Sequence, residues 1–447
     1  MKLILDQFIH KTVKIDKLLI VLIFFFPLSL SISIFFADLS ASLIALIIFI
    51  LIFKKENHSL FYSIRRKIYF FFCFYLIILI SLIFSISIKE SFFPSFFYFR
   101  YFLFALGIFF LLKKYDFFDK ILLYSICITF ILILIDSFFQ YFFLRNFLNY
   151  PPLKFYNSSE TGPVYLITSF FNDEKKLGSY LVRLLPFFLS LLYYFNFKRI
   201  NYLYFAITGI VIFLTAERTA LFLFIILSIF YFLIIKKKIQ FIISGIILLS
   251  ILLSFNYGFK YKYIDYTLMQ LGVIKTKWNE SDNISFRYYS KEHEDFVYTA
   301  IQIFKENIFK GSGVKTFYKA CNDLKNDRSE MILENEKDLL NRNNKLKCST
   351  HPHSTYFQIL SDTGIFAFIF VMIFFIFVLK KNIKILFKKK LNNFDLCFYF
   401  LNVGIILNLF PLIPSGNFYN NWLSLILFYP FGLWLYINQK IKINNQS

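Results

Sequence analysis

The apolar segments of this chain lack the alternation of polar and apolar residues that marks a barrel strand, and the chain is poor in charge. Only 17% of its 447 residues are Asp, Glu, Lys or Arg, against about 25% in ordinary soluble domains. The first absence excludes a transmembrane β-barrel. The second, with 58% hydrophobic and 22% aromatic residues, 67 of them Phe, excludes a soluble fold, because no soluble core of this size hides so much apolar surface. No internal repeat is visible, and no small-residue cleavage site follows the first apolar run. Met1 to Lys17 and the run after them are therefore expected to form an uncleaved first anchor. Cysteine is scarce. Of five, Cys73, Cys127 and Cys397 fall in or near apolar runs, leaving Cys321 and Cys348 as the pair in polar sequence.

What is present is a series of apolar runs of about 15 to 22 residues, close to the roughly 20 that cross a bilayer as helix. They predict an all-α, polytopic membrane protein with about twelve spans: 18–36, 39–53, 68–87, 92–112, 119–141, 177–196, 201–215, 219–235, 239–256, 359–379, 394–413 and 421–438. With the N-terminus inside, Lys54, Lys55, Arg65, Arg66, Lys67, Lys113, Lys114, Lys236 to Lys238 and the lysines from Lys380 to Lys390 all fall on the cytoplasmic side. The short outer loops at 37–38 and 414–420 carry no Lys or Arg, as the positive-inside rule expects. The net charge of +22 then reflects topology and anionic lipid headgroups, with no implication of nucleic acid.

One long hydrophilic segment, Tyr257 to His353, interrupts this pattern with 16 Lys plus Arg against 13 Asp plus Glu. It divides the chain into an N-terminal membrane bundle (1–256), an outer loop domain (257–358) and C-terminal membrane helices (359–447). Within it Phe296, Ala300, Ile303 and Phe304 predict a helix from Glu294 to Lys305, ended by Gly311-Ser-Gly313. Positions 322 to 347, rich in Asn, Lys, Asp and Glu, read as a solvated excursion bracketed by Cys321 and Cys348. A disulfide between those two on an oxidising face would close a loop of about 28 residues, worth roughly 3–4 kcal/mol on the chain-entropy model.

Charges inside the apolar runs are costly unless paired or facing a cavity. Arg100 and Asp136, in the outer halves of the fourth and fifth runs, are expected to pair, with Gln140 one turn beyond; Arg183 could face the same cavity. For all three, polar packing between helices is an equal reading. His351 and His353 lie at the mouth of the tenth run, with no third ligand at a spacing suited to zinc.

A polar turn with Arg218 in Leu-Thr-Ala-Glu-Arg-Thr-Ala, then Arg287 early in the outer loop, then Gly311-Ser-Gly-Val, then His353-Ser-Thr-Tyr-Phe-Gln-Ile-Leu-Ser-Asp-Thr-Gly364, come in an order that resembles the O-antigen ligase and polymerase superfamily. The resemblance covers roughly residues 160 to 380. It implies transfer of a glycan from an undecaprenyl diphosphate carrier to an acceptor hydroxyl, on the lipid A core for a ligase or on another carrier-linked repeat for a polymerase. It also implies a periplasmic site in the bacterial inner membrane, with no metal and no cofactor. By that resemblance His353 is the catalytic base, His351 lies behind it, and Arg218 and Arg287 offset charge on the departing diphosphate. An imidazole takes a proton near neutral pH, and a guanidinium binds phosphate through a planar fork of donors. The rival class is a lipid-linked oligosaccharide flippase, against which stand the large outer segment and the lack of symmetry between halves.

Overall fold

The computed structural model describes residues 7–8, 12–158, 162–235, 238–255, 257–273, 287–332, 346–411 and 413–444. Its membrane part consists of α1 (Lys14–Ile32), α2 (Ile34–Ile52), α3 (Arg65–Ile83), α4 (Ile88–Phe96), α5 (Phe99–Lys114) and α6 (Phe118–Phe143). There follow α7 (Leu177–Tyr194), α8 (Lys198–Leu214), α9 (Arg218–Ile234) and α10 (Lys238–Phe255). The loop domain contributes α11 (Lys291–Glu306) and α12 (Phe317–Ile332), and the chain ends in α13 (Thr355–Leu386), α14 (Asn393–Asn408) and α15 (Asn421–Asn444). Helix is the form these runs take because a backbone in hydrocarbon must satisfy its own N–H and C=O groups.

Each of the twelve apolar runs overlaps a described helix, but the count of about twelve spans is corrected. Among the described residues, seven helical segments are long and apolar enough to cross a membrane: α1, α2, α3, the α4–α5 unit, α6, α7 and α13. Helices α8, α9, α10 and α14 are apolar but shorter in their described apolar stretches. The expected outer loop at 37–38 is also displaced. Helices α1 and α2 meet at Ser33, so Asp38 sits on the first turns of α2.

Aromatic side chains fill the centre. Phe26 of α1 packs on Phe104 of α5 at 4.6 Å between ring centroids, and Tyr429 of α15 lies 5.0 Å from Phe26 and 5.1 Å from Phe187 of α7. Rings at these separations attract beyond their burial of area, and they tie four helices that are distant in sequence. Helix α14 opens with a reciprocal capping box in which Asn392 accepts from the Asp395 N–H and Asp395 accepts from the Asn392 N–H.

The expected Arg100–Asp136 pair is not formed. Arg100 instead donates to both carboxylate oxygens of Asp38 at 2.8 and 3.1 Å, and Asn421 of α15 donates to the same carboxylate. Asp136 accepts from the Phe147 N–H and from the Ser169 hydroxyl, while Gln140 accepts from the N–H groups of Thr168 and Ser169. The two residues hold the chain that follows α6. That chain carries an unexpected antiparallel hairpin, β1 (Leu153–Ser158) with β2 (Gly162–Leu166), a small addition to an otherwise all-α fold.

In the loop domain, α11 matches its expected helix, although it ends at Glu306 before the Gly-Ser-Gly motif. The stretch read as a solvated excursion is helical as far as Ile332, and the rest of it up to Lys345 lies outside the described residues. A separate core of Ala300, Ile303, Phe317, Ala320, Leu324 and Leu346 explains the difference: α12 has an apolar side to bury against α11. Cys321 and Cys348 are bonded, with Cα atoms 5.5 Å apart. Changing both to serine is expected to cost about 2–5 kcal/mol of loop-domain stability. The readout is the thermal unfolding of the detergent-purified protein with and without reductant, and wild-type stability in the double variant would contradict the role.

The Gly-Ser-Gly motif fastens this domain to the membrane part. At Gly364 the backbone of α13 leaves helical geometry (φ +78°), so carbonyls of the preceding turn are unpaired. Gly311-Ser-Gly313 fills the gap: the Ser312 N–H donates to Ser361 O at 2.8 Å, and the Gly313 N–H to Asp362 O at 2.9 Å. From the other side Ile365 N–H donates to Ile308 O, and Ile86 N–H, just after α3, donates to Ser312 O.

Candidate functional site

Arg218 is the first residue of α9, and its guanidinium lies 5.0 Å from the Tyr266 ring centroid, with Nη1 3.5 Å from Thr267 Oγ1. It stands on the wall of a cavity of about 570 Å³ between the start of α9, the helical turns of 263–271, the loop 288–293 and the chain at Ile413 and Pro414. One side of this cavity is apolar, through Leu221, Phe222 and Ile225; the other is polar, through Thr267, Gln270, Ser290 and His293. The cavity sits where α9 meets the loop domain, so an amphipathic ligand would place its apolar part along α9 and its polar part under the loop.

Lys262 lies within electrostatic reach of Arg218. Almost fully buried, it has its pKa pushed down to about 7, first by burial and then by repulsion from Lys175 and Arg218, with Glu217 opposing. An anion arriving beside it favours its charged form. Glu217, next to Arg218 in sequence, is held elsewhere: it accepts from the Gly178 and Ser179 N–H groups at the start of α7, where a helix N-terminus favours negative charge.

His353 has a left-handed backbone (φ +52°) just before α13, and its carbonyl accepts from the Ser415 N–H at 2.8 Å. Its ring lies 4.1 Å from that of His351 and 5.6 Å from that of His293, centroid to centroid, with Phe296 at 5.2 Å. His293, on the first turn of α11, is on the cavity wall, and its Nδ1 is 2.6 Å from Ser290 Oγ. His353 thus stands one ring behind the wall, next to His293. Burial is the first cause lowering the pKa of each of these imidazoles, reinforced at His353 by His293 and opposed by Glu292. His351 is pushed down to about 4 by burial and by His353. All three are neutral at pH 7, the form that accepts a proton.

The other candidates are dispersed. Arg287 is anchored by its N–H to Leu271 O at 2.9 Å, beside the cavity, but it is not among the residues that line it. Arg183, buried within α7, donates to Ser179 and to Asn408 of α14 and borders a much smaller cavity. Arg100 is occupied by Asp38. Sequence reasoning missed His293, Lys262 and Tyr266. The signal for His293 was its position one helical turn before the apolar face of α11; nothing in the sequence marks Lys262. Among the described residues no group of three His, Cys, Asp or Glu side chains is arranged to hold a metal ion.

The fold and the cavity define a polytopic membrane protein with a helical domain outside its bundle, and a cavity where the two meet that is lined by Arg218 and His293. Residues 203–372 match the family model described as O-antigen ligase. The matched stretch runs from α8 into α13 and contains Arg218, His293, the Gly-Ser-Gly motif and His353, while Arg100 and Arg183 fall before it. No curated protein matches the chain.

Proposed function

We propose that the protein transfers a glycan from undecaprenyl diphosphate to an acceptor hydroxyl at the periplasmic face of the bacterial inner membrane, both termini being cytoplasmic. The observation that carries this reading is the cavity itself: Arg218 on its wall with Lys262 nearby, His293 on the wall with the His353 ring 5.6 Å away, and an apolar wall leading down α9. A diphosphate on a polyprenyl chain has the charge and the tail for those two surfaces.

In the proposed reaction the acceptor oxygen bonds to the anomeric carbon of the donor glycan as its proton passes to His353. The bond from that carbon to the diphosphate breaks, and its electron pair leaves on the phosphate oxygen. Arg218, with Arg287 at the rim, offsets the charge on the leaving group, which a fixed cation does without reorganising at the moment of reaction. His293, held by Ser290 on the cavity wall beside His353, positions the acceptor. His351 supports the His353 ring, and Arg183 and Arg100 hold the surrounding helices in register.

The deciding experiment supplies purified protein with carrier-linked oligosaccharide and, separately, lipid A core or further carrier-linked repeats. Label on lipid A core identifies a ligase and a ladder on the carrier identifies a polymerase. Absence of product with either acceptor rejects both the ligase and the polymerase reading and points to another acceptor or to a flippase.

The histidine environment gives a pH signature. A base is active when neutral, and because the folded pKa of His353 lies below its ordinary 6.5, activity is retained as pH falls through 6.5 and lost only below it. The acid limb of kcat/KM, which reports the free enzyme, is expected with its midpoint under pH 6.5. A midpoint at or above that value would contradict the buried-imidazole assignment.

A further inference from the structure

A second cavity, of about 340 Å³, lies on the bundle between α3, α13 and α15. Phe70, Phe74, Phe370, Phe374, Phe428 and Phe431 dominate its wall. At one end the wall turns basic, with Arg66 and Lys67 in the first turn of α3, and Lys381 near the end of α13. Lys67 Nζ is 5.3 Å and Lys381 Nζ 5.6 Å from the centroid of the same Trp434 ring, and Lys381 also donates to Asn438 at 3.0 Å. No Asp or Glu lines this cavity.

We propose that this groove is a binding site for an anionic glycerophospholipid, with an acyl chain along the phenylalanine wall and the headgroup phosphate against Arg66, Lys67 and Lys381. Two lines of reasoning converge. Three cations gathered at one end of an apolar wall make that end complementary to a phosphate, and basic pockets between membrane helices bind lipid headgroups. The indole between the two lysines is the kind of ring found at headgroup level.

The same geometry separates this groove from the cavity at Arg218. Helix α13 begins next to His353, and Lys381 is near its far end, so the two cavities have their charged ends at opposite faces of the bundle. A carrier lipid whose diphosphate lies at Arg218 cannot also present it at Lys381. The inference does not depend on the glycan-transfer reading, and its test uses no transfer assay.

The test is native mass spectrometry and thermal unfolding of the full chain in detergent. Phosphatidylglycerol, phosphatidylcholine and undecaprenyl phosphate are added singly and then in competition. Phosphatidylglycerol is expected to remain bound at one equivalent, to raise the unfolding temperature, and to bind at least ten-fold more tightly than phosphatidylcholine. The R66Q/K67Q/K381Q variant is expected to lose that preference. Val371→Trp, which fills the groove and leaves the charges in place, is expected to lose retained lipid, and serves should the triple variant not fold. Equal retention of phosphatidylcholine, an unchanged preference in both variants, or displacement of phosphatidylglycerol by sub-stoichiometric undecaprenyl phosphate would overturn the proposal.

Discussion

Replacing His353 with asparagine is expected to lower glycan transfer by about 10²- to 10⁴-fold, the usual worth of a positioned general base, while membrane insertion and donor binding stay near wild type. Asparagine is the informative substitution because His353 has φ +52°, and Asn tolerates the left-handed region better than most residues. Its backbone carbonyl can keep the bond from the Ser415 N–H, so loss of turnover reports loss of the imidazole and not of the turn. The matching change His293→Asn separates two roles. His293 lines the cavity and His353 stands behind it, so a positioning His293 should raise KM more than it lowers kcat. If His293→Asn abolishes turnover and His353→Asn does not, the base is the wall histidine.

The second large effect is on assembly. Gly311→Ala is expected to prevent docking of the loop domain, because an added Cβ would lie 2.4 Å from the carbonyl carbon and oxygen of Asp362 and 2.5 Å from the Thr363 nitrogen. These are backbone atoms of a buried helix break and have no flexible end to move aside. The left-handed φ of +68° adds about 1–2 kcal/mol for any L-side chain, and overpacking a tight contact adds about 1–3 kcal/mol. Yield of monodisperse protein and limited proteolysis of the loop domain measure the outcome. Wild-type yield and protection would mean that the Gly-Ser-Gly segment does not carry the domain.

Much of this was legible in the sequence for a physical reason. Hydrocarbon leaves the backbone one local solution, so the twelve apolar runs marked where helices lie, though several ends differ by five to seven residues, as at 379 against Leu386 and 413 against Asn408, and the number that cross depended on length and tilt that composition does not encode. Arg218 at a helix start, the Cys321–Cys348 pair and the α11 helix were readable because each depends on residues close in the chain or on sidedness. Arg100 was not. Its partner Asp38 is 62 positions away, and choosing it over Asp136 required knowing that α2 and not α6 faces that side of α5. Lys262 and His293 were missed for the same cause, since they acquire meaning only when the turns after α10 and the start of α11 close around Arg218.

The bond between Cys321 and Cys348 has a consequence for how this chain can vary and be engineered. The two ends of the intervening tract are fixed with Cα atoms 5.5 Å apart, and His353 follows only five positions after the second cysteine. Changes in length inside that tract enter and leave through a gate of constant width, as long as Leu324 and Leu346, which pack in the loop-domain core, are kept. An epitope tag or a small reporter domain inserted after Ile332 and before Leu346 is thereby held apart from the chemistry at His353.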